Sequence, residues 1–131
     1  MKQNTIINSS VLSLLSELGH TDTIAIADCG LPIPRETKRC DLALAFGVPA
    51  FLETLSGVLK ELPVEAAVMA EEIKTHSPAF LTQVLELLGP IPVRYVSHEE
   101  LKRMTAGTKG VIRTGECTPY ANVILVAASL F

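Results

Sequence analysis

Apolar residues recur along this chain in two different patterns, which predict an alternation of helices and strands. Positions three and four residues apart, as at Val11, Leu14 and Leu18, predict a helix with one buried face. Short apolar runs bounded by glycine, proline or polar residues predict buried strands. The pattern predicts helices over 11–18, 49–59, 78–88 and 98–104, and strands over 23–27, 41–45, 64–70, 93–96, 110–113 and 122–128.

Capping residues and helix breakers refine the ends of these helices. One of the three polar residues 8–10 can cap the first helix, and Gly19 stands where a left-handed residue would end it. Pro49 and Pro78 occupy first-turn positions that proline favours, with Ser77 as the cap of the third helix. Ser97 and Glu100 have the spacing of a capping box for the last helix.

The capping box predicts that His98 lies in the first turn of that last helix. The positive end of a helix dipole disfavours a charged imidazole. We therefore expect His98 to be neutral and able to accept a hydroxyl proton.

The order of the elements predicts the fold class. Helices alternate with strands through most of the chain, and two strands close it. This order is typical of an α/β protein whose sheet is mixed rather than purely parallel. We expect a single domain over 1–131, with a mixed β-sheet flanked by helices.

Composition is consistent with one domain and argues against nucleic acid as a partner. The 131 residues are 48% hydrophobic and 19% charged, which is enough apolar material for a sizeable core. The net charge is −3, only 5% of residues are aromatic, and no basic cluster occurs. We therefore expect neither a surface that follows phosphates nor a platform on which bases stack.

Local composition also bears on compartment and assembly. The N-terminal segment lacks the apolar core of a signal peptide, and no apolar run approaches the roughly 20 residues that cross a bilayer. We expect a cytoplasmic protein without a membrane partner. The three cysteines form no CxxC pair and are expected to be reduced thiols. The apolar C-terminal segment 123–131 and the positive mean hydropathy favour a homo-oligomer.

The most informative segment is 18–34, LGHTDTIAIADCGLPIP, in which His20 and Asp28 bracket a short strand. A histidine moves protons near neutral pH, and an aspartate at the end of a strand accepts hydrogen bonds from hydroxyl groups. The pair indicates acid/base chemistry on a polyol. The alternative is that His20 is only a residue of the helix stop, bonded to nearby backbone.

A second polar segment, 112–126, surrounds a Gly/Pro turn before the last strand. It carries five donors and acceptors, Arg113, Glu116, Thr118, Tyr120 and Asn122. Recognition of hydroxyl groups is one use of such a set. The alternative is structural: Arg113 pairs with Glu116, Asn122 satisfies turn backbone, and Tyr120 packs.

Other chemistries find little support in the motifs. The chain has no GxGxxG, no GxxxxGK[ST] and no GxSxG, and its histidines show no metal-ligand spacing. Cys117 follows Glu116, whose negative charge would raise the pKa of a thiol. We expect no cofactor and no metal. We assign His76, Glu71 and Glu72 to the surface or to a subunit contact.

Five ordered blocks carry a resemblance to a known family. They are LGHTD from Leu18, DCGLPIP from Asp28, AEEIK from Ala70, SHEE from Ser97, and RTGECTPYAN ending at Asn122. Together they resemble the family of D-ribose pyranases and fucose mutarotases over essentially the whole chain. The GLPIP loop is similar to the ribose branch, while Cys29 stands where relatives often have alanine.

The resemblance implies a role for particular residues. His20 would be the proton donor, and Asp28, His98, Tyr120, Ala121 and Asn122 would bind sugar. Family members interconvert the pyranose and furanose forms of ribose without a cofactor. They assemble as cytoplasmic rings, commonly decamers of two stacked pentamers.

Two alternatives stay open at this point. A mutarotase acting on another sugar, such as fucose, would share His20 and most of the site. A non-catalytic sugar-binding module associated with ribose transport would bind ribose but leave its ring equilibrium at the rate seen in free solution.

Overall fold

Helices and strands alternate along most of the chain, within the residues 6–129 that the computed structural model describes. The α-helices are α1 (Ser9–Ser16), α2 (Phe51–Glu61), α3 (Ile73–His76), α4 (Pro78–Leu88) and α5 (His98–Met104), and Thr105–Gly107 forms a 3-10 turn. The strands are β1 (Thr23–Ala27), β2 (Arg39–Asp41), β3 (Val64–Ala70), β4 (Val93–Val96), β5 (Val111–Arg113) and β6 (Val123–Ala127).

The six strands form one sheet in the order β2-β5-β1-β6-β3-β4. Strand β6 runs antiparallel to its neighbours β1 and β3, while the other pairs are parallel. The prediction of an α/β fold with a mixed sheet is therefore confirmed. One consequence is that the carboxyl ends of five strands and the amino end of β6 meet at the same edge, which we call the carboxyl edge. The opposite edge is the amino edge.

The two faces of the sheet pack against different helices, because neighbouring residues of a strand point to opposite sides. Ile24 and Ile26 of β1 belong to the larger core, to which α1, α2 and α4 contribute. Ala25 and Ala27 belong to a smaller cluster with Leu101 of α5. The alanines allow α5 to lie close to the sheet, near the carboxyl edge.

The first helix ends earlier than the sequence predicts. Asn8 caps it by accepting from the N–H of Val11 at 3.0 Å, but the last helical residue is Ser16. Gly19 does not adopt the left-handed conformation expected of it; Thr21 does, with φ of 74°. The reason is a tight turn in which the Gly19 N–H donates to Oδ2 of Asp22 at 2.8 Å.

The second strand and second helix also differ from prediction. Strand β2 ends at Asp41 because this side chain accepts from the N–H of Ala43 at 3.1 Å, which turns the chain away from the sheet. Pro49 lies before the N-cap of α2 rather than in its first turn. Phe51 is the first helical residue, and its N–H donates to the carboxylate of Glu116 at 2.8 Å.

Helices α4 and α5 have the predicted bounds, but the Ser77 cap of α4 and one half of the capping box of α5 do not form. The Ser77 hydroxyl makes no capping bond and donates to the carbonyl of Pro119 at 2.9 Å. Ser97 caps α5 as expected, accepting from the N–H of Glu100 at 3.1 Å. Glu100 itself pairs with Arg103, so only half of the predicted capping box forms. The short helix α3 was not predicted.

Two observations concern the ends of the chain and the membrane. The last two residues of the apolar C-terminal segment and the first five of the chain lie outside the described residues. Within 6–129, no helix combines the length and apolarity that spanning a bilayer would need.

Candidate functional site

The polar residues of both informative segments meet at the carboxyl edge. Asp28 directly follows β1, His98 begins α5 after β4, and Asn122 directly precedes β6. Strands β1 and β6 are neighbours in the sheet, which brings Asp28 and Asn122 side by side although 94 residues separate them. Crevices at the carboxyl ends of parallel strands are where α/β proteins commonly bind ligands.

Asp28 and Asn122 are locked together by two hydrogen bonds. The Asp28 N–H donates to Oδ1 of Asn122 at 2.8 Å, and Nδ2 of Asn122 donates to Oδ2 of Asp28 at 3.0 Å. Oδ1 of Asp28 accepts from the N–H of Gly30 at 2.9 Å. Asn122 is only 1% exposed, so it acts on the site by holding Asp28. The carboxylate is thus oriented before any ligand arrives.

Tyr120 lies between two histidine rings. The His98 ring meets it edge-on, with centroids 5.0 Å apart and planes at 85°, and the His76 ring lies 5.1 Å away on a tilt of 45°. The Tyr120 backbone is left-handed, with φ of 63°, which is uncommon for a residue other than glycine. The next residue, Ala121, is fully buried and does not line the cavity described below.

These groups border a cavity of about 300 Å³, near the lower end of the range for small-molecule sites. It is lined by Asp28, Gly30, Leu31, His98, Pro119 and Tyr120. Two grooves elsewhere are larger, about 470 and 450 Å³, but apolar side chains dominate their walls. We regard the smaller cavity as the site because it gathers the hydroxyl-binding groups.

The Glu72 carboxylate holds the backbone of His98 in place. Glu72 follows β3, and both of its carboxylate oxygens accept from the His98 N–H, at 3.0 and 3.1 Å. Its negative charge at the start of α5 offsets the helix dipole that we expected to keep His98 neutral. The neutral state stays a prediction. Nδ1 of His98 is buried and has no hydrogen-bond partner within the described residues.

His20 lies at the amino edge, far from this cluster. It precedes β1, and its Nε2 is 3.1 Å from Oε1 of Glu65 near the start of β3. The five residues of β1, at roughly 3.3 Å each, separate the two edges by about 17 Å. Within one chain, the structure therefore brings Asp28, His98, Tyr120 and Asn122 together but not His20.

The other charged residues of the second segment do not pair with each other. Nη1 of Arg113 donates to both carboxylate oxygens of Asp41, at 3.0 and 3.1 Å, and its Nε donates to the Cys29 carbonyl. Glu116 instead caps α2 through the Phe51 N–H. The predicted Arg113–Glu116 pair is therefore wrong. Both residues nevertheless make structural contacts, as the structural alternative for this segment expected.

Several ionisable groups near this edge have shifted pKa values, among them Glu116, Asp41 and Cys29. Burial works to raise the pKa of Glu116, but hydrogen bonds from Phe51 and Thr118 outweigh it, and the net pKa is lowered. Burial also works to raise the pKa of Asp41, but a hydrogen bond from Arg113 outweighs it, and the net pKa is lowered. Burial and then the neighbouring Cys117 thiol raise the pKa of Cys29. Within residues 6–129, no three metal-ligating side chains come together.

Residues 1–129 match the model of the RbsD / FucU transport protein family. The chain belongs to this family. A D-ribose pyranase of Geobacillus thermodenitrificans is 55% identical over 125 residues, which are 95% of each chain.

Two solved structures of family relatives have the same fold. Bacillus subtilis RbsD, solved with D-ribose, is 45% identical, covers both chains completely and superposes with a TM-score of 0.94. The fucose mutarotase of Streptococcus pneumoniae, solved with L-fucose, has a TM-score of 0.80 at 22% identity, with 98% of this chain and 96% of that chain covered. The second likeness concerns the fold alone.

Sequence reasoning missed the contact by which Glu72 supports the site. Glu72 was assigned to the surface or to a subunit contact, because a Glu-Glu-x-Lys run is typical of solvated positions. His76 is exposed, as predicted, although its ring also contacts Tyr120. The only available signal was that Glu72 follows a predicted strand that ends at the same edge as Asp28. Its partner is 26 residues away, and no local pattern identifies it.

Proposed function

We propose that this protein is a D-ribose pyranase, which interconverts the β-pyranose and β-furanose forms of D-ribose. The observation that carries the proposal is the preorganised cluster of Asp28, Asn122, His98 and Tyr120 on a cavity of about 300 Å³. Such a cluster suits a small polyol, and a chain 55% identical to this one is a D-ribose pyranase.

The reaction consists of proton transfers at oxygen. A proton leaves the anomeric hydroxyl while one is given to the ring oxygen, so the ring opens to an aldehyde. The C4 hydroxyl, instead of the C5 hydroxyl, then attacks the aldehyde carbon and the two protons are returned. A positioned acid/base group accelerates such steps by roughly 10²–10⁴-fold, and the proposal needs no cofactor and no metal.

The proposed role of His20 rests on the resemblance of its LGHTD block to the family, while the other roles rest on the geometry. His20 donates the proton, a role that suits an imidazole because it exchanges protons near neutral pH. Asp28, His98 and Tyr120 orient the sugar hydroxyls, and Asn122 orients Asp28. Ala121 is included among the sugar-binding residues on the family resemblance alone, since the whole residue is buried and does not line the cavity of a single chain.

The separation of His20 from the cavity supports a homo-oligomer as the active form. A site that uses both His20 and Asp28 requires His20 from a second copy, because the two lie about 17 Å apart along β1. Apolar surface for such contacts is present: Phe46 is 87% exposed and Leu44 83% exposed. We propose a cytoplasmic homo-oligomer, a decamer of two pentameric rings, with no nucleic-acid or membrane partner.

The test is proton NMR saturation transfer on equilibrated D-ribose. Catalytic amounts of protein should speed exchange between the pyranose and furanose anomeric signals. L-fucose measured in parallel separates the fucose mutarotase alternative, which predicts a response to fucose alone. Unchanged exchange on both sugars would overturn the proposal.

A second candidate, the non-catalytic sugar-binding module, is favoured by one observation. The cavity of a single chain has groups that bind hydroxyls, while His20 lies elsewhere. Such a module would bind ribose, as measured by calorimetry, without any change in the exchange rate.

A further inference from the structure

Glu72 makes a long-range contact that the proposed mechanism does not yet use. It is half-buried, two residues after the end of β3, and its carboxylate accepts the His98 N–H through both oxygens. Glu72 does not line the cavity. Any effect on a bound sugar must therefore pass through His98.

The position of Glu72 explains why an acidic side chain is useful there. The first N–H groups of a helix have no partner within the helix. In α5, Ser97 accepts the N–H of Glu100, and Glu72 accepts the N–H of His98. A carboxylate at this end of the helix also interacts favourably with the helix dipole. The bond thus fixes the first residue of α5 against the end of β3.

The rings on both sides of Tyr120 lie near Glu72, but its side chain contacts only one of the two residues that carry them. The Glu72 carboxylate accepts the backbone N–H of His98, while its carbonyl accepts the N–H of His76 at 3.0 Å in an ordinary backbone bond of α3 that does not depend on the side chain. The two imidazoles flank the Tyr120 ring, His76 at 5.1 Å and His98 at 5.0 Å. The Glu72 side chain therefore acts on this aromatic group through the backbone of His98.

We propose that Glu72 is a positioning residue, whose carboxylate holds His98, and through it Tyr120, in the geometry that binds the sugar. The proposal rests on the proposed ribose pyranase function. A displacement of about 1 Å in a positioned group costs on the order of 10²-fold in rate. We expect Glu72→Ala to lower kcat/KM for ribose exchange by about 10–100-fold.

The chain offers a conservative variant and a matched control. Glu72→Gln keeps one oxygen acceptor for the His98 N–H and should restore most of the lost activity. Glu71→Ala removes the neighbouring glutamate, which is exposed and pairs only with Lys74 at 3.0 Å in a local i,i+3 contact. It should leave exchange unchanged.

A spectroscopic readout tests the position of His98 directly. The Tyr120 ring current shifts the ring-proton signals of His98, because the two rings are in edge contact. In Glu72→Ala these signals should move toward the values of a free histidine, while in Glu71→Ala they should stay. Thermal unfolding of each variant, with Asn8→Ala as a destabilised reference at the α1 cap, separates positioning from general loss of stability.

Three results would overturn the inference: wild-type kcat/KM in Glu72→Ala, a loss no larger than in an equally destabilised Asn8→Ala, or no recovery in Glu72→Gln. If the wild-type protein shows no exchange on ribose, the proposed function fails instead. The His98 signals still decide the positioning role in that case, since unchanged signals in Glu72→Ala would overturn it.

Discussion

The two edges of the sheet differ in how firmly their functional side chains are held. At the carboxyl edge, Asp28 and Asn122 exchange two hydrogen bonds, and Asn122 is almost fully buried. At the amino edge, His20 is 53% exposed and meets only the 41% exposed Glu65. The groups proposed to bind sugar are thus fixed within one chain, while the proposed proton donor is not.

Strand direction accounts for the difference. Five parallel strands and the reversed β6 direct Asp28, Glu72, His98 and Asn122 to one edge. There Asn122 bonds Asp28, and Glu72 accepts the N–H of His98. His20 lies in the tight turn before β1 at the amino edge, where a neighbouring copy can contact it. Variants at the amino edge and at the carboxyl edge test this difference.

The largest effect is expected from the amino edge. His20→Ala should slow ribose exchange by about 10²–10⁴-fold, since it removes the proposed acid/base group. Ribose affinity, measured by calorimetry, should fall much less. Retained exchange would exclude His20 as the proton donor.

Mixed oligomers test whether one site combines the two edges of different copies. His20→Ala and Asp28→Asn should each be inactive alone, but co-expressed copies should regain part of the exchange activity. The reason is that some sites then combine an intact His20 from one copy with an intact Asp28 from another. Inactive mixtures would contradict a site shared between copies.

The next largest effect is expected at the carboxyl edge. Asn122→Ala leaves the Asp28 N–H and carboxylate without their partner, which should cost about 1–3 kcal/mol of unfolding free energy. Ribose affinity should fall about tenfold or more, since a hydrogen bond to a charged group contributes about 1.5–3 kcal/mol.

Asn8→Ala is the matched control for this prediction. It removes another asparagine hydrogen bond, at the α1 cap, and should cost about 1 kcal/mol. Its ribose affinity should equal that of the wild type. An equal loss of affinity in both variants would mean that Asn122 contributes only stability.

The smallest effect concerns acid stability at the two edges. The pKa of Glu116 is lowered in the folded protein because hydrogen bonds from Phe51 and Thr118 outweigh the effect of burial. Its contribution is therefore present above the ordinary glutamate pKa of about 4.3 and is lost as the pH falls through the lower folded-state pKa. The free energy of unfolding, measured with denaturant, should decrease less steeply between pH 6 and pH 3 for Glu116→Gln than for the wild type.

Glu65→Gln provides the comparison from the amino edge. Glu65 makes an exposed pair with His20, which contributes between zero and about 1 kcal/mol. We therefore expect Glu65→Gln to change the free energy of unfolding at pH 6 less than Glu116→Gln does. A larger loss in Glu65→Gln would reverse the contrast between the edges.

The sequence predicted the elements well where the signals are local. The strands 23–27, 64–70 and 93–96 and the helix 78–88 have the predicted bounds, because apolar runs and proline act over a few residues. Helix α3 was not predicted, and the boundary errors are at Gly19, at Pro49 and in β2, which spans Arg39–Asp41 rather than 41–45. In each case a side-chain bond within a turn, or one from a distant residue such as Glu116, decides the boundary.

By itself, the sequence determined the alternation of elements, the α/β class and the polar segments that carry the candidate chemistry. These depend on period, caps and turn residues, which act locally. Only the tertiary structure decided that Asn122 holds Asp28, that Glu72 holds His98, and that His20 lies at the opposite edge. Such contacts join residues 94 and 26 positions apart, and they follow from strand order and direction, which no local pattern encodes.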